Sequence, residues 1–345
     1  MNQASHYLFV TGFRESGLFR YRYDPTKDSY TQSNNELRQL MGSKLLAEFS
    51  ADDSTLLLKH RKNLEFILTY WYREENGVGF IFYDNKSKLG ANAMALRALV
   101  YSPYFEEHRQ KALMLAQGML GLRNPDGSFR PWLKEPGYEF DADYLMTFYS
   151  GEAILALLEY AEKVDNPSIL EAARGSQDFY LDKYVVHLEE NYYPAYVPWH
   201  SQSLSRLYRK TNDRRYADAV LALNDKLLEL QDTKENIGRF HDPAQPQYGS
   251  PHASSDAVYT EGLAYALEIA RSLNDVPHTK RYSEALELAL RHLMSLQYTV
   301  SNASGLAQPN RALGGFRVSS TDPRIRMDSV QHTIDAFKKA LEVLE

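Results

Sequence analysis

Two kinds of helical segment alternate along almost the whole chain, and this alternation constrains the fold more than any other feature. Segments of the first kind are rich in Ala, Leu and Gly and carry few charges away from their ends, which is typical of helices buried on most sides. Small residues such as Gly90, Gly151 and Gly262 allow neighbouring helices to approach closely. These segments cover residues 34–49, 89–100, 149–161, 199–208, 254–270 and 326–344.

Segments of the second kind are amphipathic, with one charged face that can meet water. Short connections such as residues 51–54 and 211–214 force each segment to run antiparallel to its neighbour. The sequence therefore predicts inner and outer helices in alternation, six inner and five outer. The outer segments cover residues 54–72, 105–122, 167–185, 215–231 and 281–297.

Most outer segments are followed by a turn in which a glycine precedes an aromatic residue. These turns lie in residues 75–83, 124–132, 235–240 and 312–319, and the stretch after residue 185 lacks the glycine. Glycine suits such turns because it tolerates positive φ. Residues 8–23 are interpreted as a pair of strands, within a β-hairpin extension over residues 1–33, so the twelfth helix of six pairs is missing. No long Gly-, Ser- or Pro-rich linker interrupts the chain, which predicts a single domain over residues 1–345.

This alternation, with its turns ending in glycine and an aromatic residue, resembles the (α/α)6 toroid superfamily. Its members include six-hairpin glycosidases, uronyl hydrolases, polysaccharide lyases and sugar epimerases, and more distantly terpenoid and lanthionine cyclases. The resemblance covers nearly the whole chain. It implies an all-α toroid of alternating inner and outer helices around a central cavity, with short β-hairpins in its loops. It also implies an active site at one mouth of that cavity.

Composition excludes several classes of function. The chain has no cysteine, so disulfides, thiolate nucleophiles and zinc–thiolate sites are absent, including the zinc site of lanthionine cyclases. A net charge of −6 argues against general nucleic-acid binding. No transmembrane segment is expected, because no apolar run approaches the required length. No secretory signal is visible, so we expect a cytoplasmic protein. The sequence says nothing of the oligomeric state.

The starts of the inner helices carry the residues that could form a site. If these helices all run the same way, their N-termini collect at one mouth, where free N–H groups and dipole ends favour anions. Candidate acid–base residues are Glu152, His200, Asp256, Glu261, Asp328 and His332. Candidate substrate-binding residues are Asn35, Arg38, Lys88, Asn92, Tyr149, Trp199, Tyr259 and Arg326. Gln202 and Gln331 lie at the same helix starts without an assigned role.

Several candidates also have a structural interpretation. Asp256 can be a helix cap, and Glu152 falls in the first turn of its predicted helix, where the dipole favours a carboxylate. Glu261 lies on a mostly apolar helix and needs a partner or a water-filled cavity. Asp328 and His332 are four residues apart on one face. They are either a base with its orienting carboxylate or a structural ion pair.

The residue types favour a carbohydrate-active enzyme, which needs carboxylates across a cleft, aromatic rings and groups that bind hydroxyls. Arg38, Lys88 and Arg326 add positive charge, which favours an acidic sugar such as a uronate. The reaction is left open between hydrolysis, elimination and C5 epimerisation. The alternative is a toroid that binds a glycan or a partner without turnover.

Other chemistries find less support in the sequence. A terpenoid cyclase would need an acidic motif such as D-x-D-D, and only DAD occurs, at 141–143. His200, His252 and His332 with a carboxylate could form a metal site, but neither H-x-x-x-H nor H-E-x-x-H spacing exists. We therefore predict no metal and no cofactor, and a glycan or another polar ligand as the partner.

Overall fold

The computed structural model describes residues 1–344, and these are mainly helical. All the inner and outer segments predicted from the sequence are helices, with bounds that differ by a few residues at most ends. In chain order the helices are α1 (Asn2–His6), α2 (Glu36–Phe49), α3 (Ser54–Tyr70), α4 (Leu89–Val100), α5 (Arg109–Leu120), α6 (Ala142–Val164), α7 (Pro167–Leu181), α8 (Leu188–Asn191), α9 (Val197–Thr211), α10 (Arg214–Leu228), α11 (Ala253–Ser272), α12 (Val276–Ser295), α13 (Val300–Ala303), α14 (Pro309–Ala312) and α15 (Met327–Leu344).

Short strands make up three small antiparallel sheets within residues 1–344. β1 pairs with both β2 and β7, β3 pairs with β4, and β5 pairs with β6. The β3–β4 pair is a regular hairpin in which Tyr72 lies opposite Ile81. The strands are β1 (Arg22–Asp24), β2 (Ser29–Tyr30), β3 (Tyr72–Glu75), β4 (Val78–Ile81), β5 (Ser87–Lys88), β6 (Trp132–Lys134) and β7 (Ile325–Arg326).

The N-terminus corrects one expectation, because residues 2–11 are helical rather than extended. α1 continues into a π-helical turn, Tyr7–Thr11. The apolar run within residues 2–11 is too short to show a periodicity that would distinguish a helix from a strand. The strands of this region lie later than the predicted pair, since β1 and β2 form a hairpin over residues 22–30. α1 and its π-helical turn pack against α15, as an outer helix does. α1 and its π-helical turn therefore take the place of the twelfth helix, which the sequence interpretation left missing.

The chain divides into two compact units. The middle unit comprises residues 14–18 and 35–192, and the terminal unit comprises residues 1–13, 19–34 and 193 onward. In the middle unit, α4 packs against both α2 and α6, and these inner helices are flanked by α3, α5 and α7. In the terminal unit, α11 packs against both α9 and α15, and these inner helices are flanked by α10 and α12.

The inner helices of the middle unit are parallel. Gly90 on α4 packs against Glu152 on α6. Seven residues further along both helices, Arg97 pairs with Glu159, with 2.7 Å between Nε and Oε2. Equal offsets at both contacts mean that the two helices run in the same direction. The Tyr101 hydroxyl donates to Glu159 as well, at 2.8 Å, so this buried charge pair is well hydrogen-bonded.

The inner helices of the terminal unit are parallel too. Pro198, near the start of α9, packs against Gly262 on α11. Near the other ends of these helices, Arg209 pairs with Glu268 at 2.7 Å. Lys339 on α15 also reaches Glu268, at 2.9 Å. The prediction that inner helices run the same way is therefore confirmed within each unit.

Three of the four Gly–aromatic turns predicted from the sequence share one structural role, and the fourth, in residues 75–83, is instead the β3–β4 hairpin. Gly127, Gly238 and Gly314 have positive φ and lie directly on the backbone of the outer helices α7, α12 and α1. Gly17 lies in the same way on α3, so the chain holds a further copy of the turn that the sequence interpretation did not include. In each copy the phenylalanine that follows closes the turn with an isolated β-bridge. These bridges are Phe13↔Phe19, Arg123↔Phe129, Gln231↔Phe240 and Gln297↔Phe316.

Candidate active site

Glu152 lies deeper in its helix than the sequence suggests. α6 begins at Ala142, where the Tyr144 N–H donates to the Asp141 carboxylate at 3.0 Å. Glu152 therefore follows the first helical residue by ten positions, and the expectation that it lies in the first turn is wrong. The helix dipole acts mainly within the first turn and does not explain this carboxylate.

The environment of Glu152 is that of an acid–base group. Its side chain is buried, with 1% of the residue exposed. Among residues 1–344, its Oε2 has no hydrogen-bond partner. Burial raises the pKa of Glu152 to about 7, although the nearby charges of Arg38, Lys88 and Arg97 act in the opposite direction. A carboxyl group with this pKa is present in both protonation states near neutral pH.

Gly90 and Tyr149 shape the space around this carboxylate. A β-carbon at position 90 would contact Glu152 Oε2 and lie 2.6 Å from Tyr149 Cδ1, so only glycine fits there. Tyr149 is buried. Burial and the charge of Glu152 hold the pKa of Tyr149 well above its usual value. Its hydroxyl therefore stays protonated and can donate a hydrogen bond.

The charges near Glu152 are partly balanced by the protein itself. Lys88, at the end of β5, pairs with Glu36 at the start of α2, with 2.9 Å between Nζ and Oε1, and both side chains are buried. Arg38 lies two residues further along α2 and is half-buried. Because Lys88 already has an acidic partner, it adds less attraction for an acidic sugar than its sequence position suggests.

Two predicted sugar-binding residues of the middle unit hold the backbone in place. Asn35 caps α2, where its Oδ1 accepts from the Arg38 N–H at 3.1 Å. Asn92 accepts from the Ile81 N–H at 2.7 Å and donates to Ser87 Oγ at 3.3 Å. Asn92 thus ties strands β4 and β5 to the inner helix α4.

In the terminal unit, predicted residues of α9 and α15 come together. The rings of Trp199 and His332 meet edge to face, with 6.1 Å between their centroids. Asp328 is fully buried and forms an ion pair with Arg326, whose Nε donates to Oδ1 at 2.9 Å. Asp328 therefore has Arg326 as an ion-pair partner.

His200 lies on the same helix as Trp199 and is almost fully buried. Its ring is buried next to that of Tyr196, with 6.2 Å between centroids. Burial lowers the pKa of His200 to about 3. The imidazole is therefore neutral at ordinary pH and is a weak base.

Helix α11 corrects the interpretation of Asp256 as a cap. The cap is His252, which forms a capping box with Ser255. Asp256 accepts instead from the Phe240 N–H at 2.9 Å, and its second oxygen lies 3.3 Å from His292 Nε2. Asp256 therefore ties a Gly–aromatic turn and the outer helix α12 to α11.

Tyr259 and Glu261 lie on the same inner helix, α11, and both are buried. The ring of Tyr259 packs edge to face on Phe240, with 5.8 Å between centroids. One residue after Glu261, Gly262 lies directly on Pro198 of α9. Glu261 is therefore located where α9 and α11 are in close contact.

Sequence reasoning assigned no role to two buried amides of the terminal unit. Gln331 and Gln202 are both buried. Within residues 1–344, the Nε2 and Oε1 atoms of Gln331 have no hydrogen-bond partner, and the same is true of the Nε2 atom of Gln202. Such groups can donate to and accept from hydroxyls. Their only signal in the sequence is their position at the starts of α15 and α9, since an uncharged amide forms no recognisable catalytic motif.

A second overlooked signal is an internal repeat between α6 and α11. Residues 152–161 (EAILALLEYA) and 261–270 (EGLAYALEIA) carry two glutamates in the same register. The second glutamate of each, Glu159 and Glu268, pairs with an arginine of the preceding inner helix, Arg97 and Arg209 respectively. Glu152 and Glu261 therefore occupy equivalent positions on their helices.

Residues 1–344 contain no group of three or more His, Cys, Asp or Glu side chains arranged to hold a metal ion. None of the helices in this range is both long enough and apolar enough to span a membrane.

Solved structures with this fold include several enzymes that act on sugars. A D-mannose isomerase matches at a TM-score of 0.73 and 13% identity, over 99% of this chain and 95% of its own. A cellobiose 2-epimerase from Bacillus thermoamylovorans matches at 0.70 and 10%, over 98% and 96%. An unsaturated glucuronyl hydrolase specific for heparin matches at 0.68 and 12%, over 99% and 96%. No family model and no curated protein sequence matches. The predicted all-α fold of the (α/α)6 toroid type is confirmed.

Proposed function

We propose that this chain is a carbohydrate-active enzyme in which Glu152 transfers the proton. The observation that carries this proposal is a buried carboxylate with an unpartnered oxygen among the described residues and a pKa near 7. A structural carboxylate at such a depth is normally paired or fully hydrogen-bonded. The likeness to a mannose isomerase, a cellobiose epimerase and a glucuronyl hydrolase supports a sugar as the substrate.

The two protonation states of Glu152 suit different steps of sugar chemistry. The protonated acid can donate to a glycosidic oxygen, and the ionised form can take a proton from a carbon or a hydroxyl. Arg38 and Lys88 stabilise the ionised form, and the protonated Tyr149 hydroxyl can donate to a sugar oxygen. Hydrolysis, elimination, isomerisation and epimerisation all need such a group, so the products decide between them.

We assign further sugar-binding and acid–base roles to the terminal unit. His332 with Trp199 offers a base beside an aromatic ring, and Glu261 is the equivalent of Glu152 in the α6–α11 repeat. Tyr259, Arg326 with Asp328, and the amides of Gln202 and Gln331 are proposed to bind hydroxyls. We assign no proton transfer to His200, because its pKa is too low, or to Asp256, because both its oxygens already contact the protein.

The test is to incubate the purified chain with D-mannose, cellobiose and an unsaturated uronyl disaccharide of heparin. Sugar products are separated by anion-exchange chromatography, and loss of the unsaturated chromophore reports hydrolysis of the third substrate. Glu152→Gln preserves the size of the side chain, and we expect it to lower turnover about a hundredfold or more. Glu162→Gln, at an exposed position of the same helix, is the matched control.

Two outcomes count against the proposal. Turnover that survives Glu152→Gln at the rate of the control would remove Glu152 from the mechanism. Binding of these sugars by the unaltered chain without any turnover would instead identify a toroid that only binds glycans.

A further inference from the structure

The part of helix α6 that precedes Glu152 is more than two turns long, and it carries aromatic rings. Tyr144, Phe148 and Glu152 are spaced four residues apart and so lie on one face of the helix. The rings of Tyr144 and Phe148 meet edge to face, with 5.5 Å between centroids. At the helical rise, the distance from Tyr144 to Glu152 along the axis is about 12 Å. The face therefore leads from an exposed ring to the buried carboxylate.

The loop that precedes α6 adds two more exposed rings. Tyr138 is 57% exposed and Phe140 36%, and Tyr144 at the start of the helix is 47% exposed. Phe140 packs edge to face on Trp132 of β6, with 5.5 Å between centroids. The Lys86 ammonium lies 5.7 Å from the centre of the Tyr138 ring. These contacts hold the two rings of the loop in place, and three exposed large rings within residues 138–144 mark an interaction surface.

The charge on this loop selects between possible ligands. Carboxylates accept hydrogen bonds from sugar hydroxyls but repel a chain of uronates or an anionic lipid surface. Two basic residues lie beside this loop: Lys183 approaches Asp143 at 3.3 Å, and Lys86, at the Tyr138 ring, already pairs with Asp84. The exposed acidic residues in or next to the loop are Glu135, Glu139, Asp141 and Asp143.

We propose that Tyr138, Phe140, Tyr144 and Phe148 form an aromatic platform for an uncharged oligosaccharide chain, whose reacting end reaches Glu152. The apolar faces of sugar rings stack on aromatic rings, and the surrounding carboxylates accept from their hydroxyls. This inference rests on the proposed function and narrows its substrate to a chain of neutral sugars. The platform binds the units next to the reacting one, so affinity increases with chain length.

The test measures binding of cellotetraose, α-1,6-mannotetraose and tetragalacturonate, and of their monosaccharides, by isothermal titration calorimetry. The Tyr144→Ala/Phe148→Ala variant is expected to bind the preferred neutral tetrasaccharide about thirtyfold more weakly, since each of the two stacked rings contributes on the order of 1 kcal/mol. The ratio of tetrasaccharide to monosaccharide affinity falls with it. Tyr70→Ala is the matched control, because Tyr70 is 59% exposed on α3 and lies outside the platform. Tyr138→Ala, in the loop, repeats the test without altering a helix.

The platform is overturned if the variants bind the tetrasaccharide as the control does, if the unaltered chain binds no neutral tetrasaccharide, or if it prefers tetragalacturonate. Glu152→Gln separates this inference from the proposed function. If chain binding depends on the platform and no sugar is turned over, the platform stands and the enzymatic proposal fails. If Glu152-dependent turnover occurs and the platform variants bind normally, the enzyme stands and the platform fails.

Discussion

The carboxylate of Glu152 fills the space beside Gly90 in which any other residue would place its β-carbon. The two residues lie on the parallel inner helices α4 and α6. The packing of these helices thus fixes the position of a buried acid that would otherwise need a polar partner. An added methyl group at position 90 must displace Glu152, or Tyr149 next to it.

We expect Gly90→Ala to lower kcat/KM about tenfold or more, since displacing a reacting group by an ångström can cost a hundredfold. Thermal unfolding is measured alongside, because the new methyl group also crowds two buried side chains. Gly305→Ala is the control, as Gly305 has open space around it and no positive φ. Unchanged turnover in Gly90→Ala would mean that the position of Glu152 does not limit the reaction.

The pH dependence of turnover gives an independent test of Glu152. Its pKa of about 7 predicts an inflection near neutral pH, well above that of an exposed glutamate. The positive charge of Arg38 favours the ionised form and so lowers this pKa. We therefore expect Arg38→Gln to move the inflection to higher pH. It is measured as kcat/KM against pH, with Lys62→Gln, at an exposed position, as the control. If the inflection of Arg38→Gln stays at the pH of the unaltered chain, the titration of Glu152 does not cause it.

Most of the helical architecture is predictable because inner and outer helices differ in composition. All residues of α4, Leu89–Val100, are buried, and its predicted bounds agree with the structure. Composition fails at the start of α6, because residues 142–148 are mostly exposed or half-buried whereas residues 149–161 of the same helix are buried. It fails again at α1, since five residues cannot show a helical period.

The candidate site is predictable only in part. Glu152 and Glu261 stand out as carboxylates in apolar segments, which the sequence alone reveals. Burial raises the pKa of Glu152, and Arg38 and Lys88, which other elements contribute, lower it in part. The roles of Asp256 also depend on distant residues, since its partners Phe240 and His292 lie outside α11. No local pattern contains these tertiary contacts.

Gln331 should show opposite effects on stability and on binding. Both its amide atoms are buried without a partner in the described chain, which destabilises the folded state by about 1–3 kcal/mol for each such group. Gln331→Leu is expected to unfold at a higher temperature than the unaltered chain, and to bind sugar more weakly if the amide binds hydroxyls. Asn224→Leu is the contrast, because Asn224 donates to Ser201 Oγ at 2.8 Å and to the Val220 carbonyl at 2.9 Å. That variant should lose stability. Lower stability of Gln331→Leu would contradict the structure.

The Gly–aromatic turns should stabilise the fold through close packing as well as through backbone conformation, and three glycines separate these effects. Gly238 has a φ of +92°, and a β-carbon there would contact the Leu288 carbonyl and lie 3.0 Å from Ala289 N. Gly77 has a φ of +80° with nothing within 4 Å, and Gly137 has neither constraint.

In urea unfolding, the free energy of unfolding of Gly137→Ala should equal or slightly exceed that of the unaltered chain, because alanine restricts the conformations of the unfolded state. Gly77→Ala should lower the free energy of unfolding by about 1–2 kcal/mol through backbone strain alone. Gly238→Ala must lose more than Gly77→Ala, since its methyl group also forces the turn away from α12. Equal losses at positions 77 and 238 would show that only the backbone conformation of the turn contributes. A larger loss at 238 means that docking on the outer helix stabilises this turn, and it extends the same expectation to Gly17, Gly127 and Gly314.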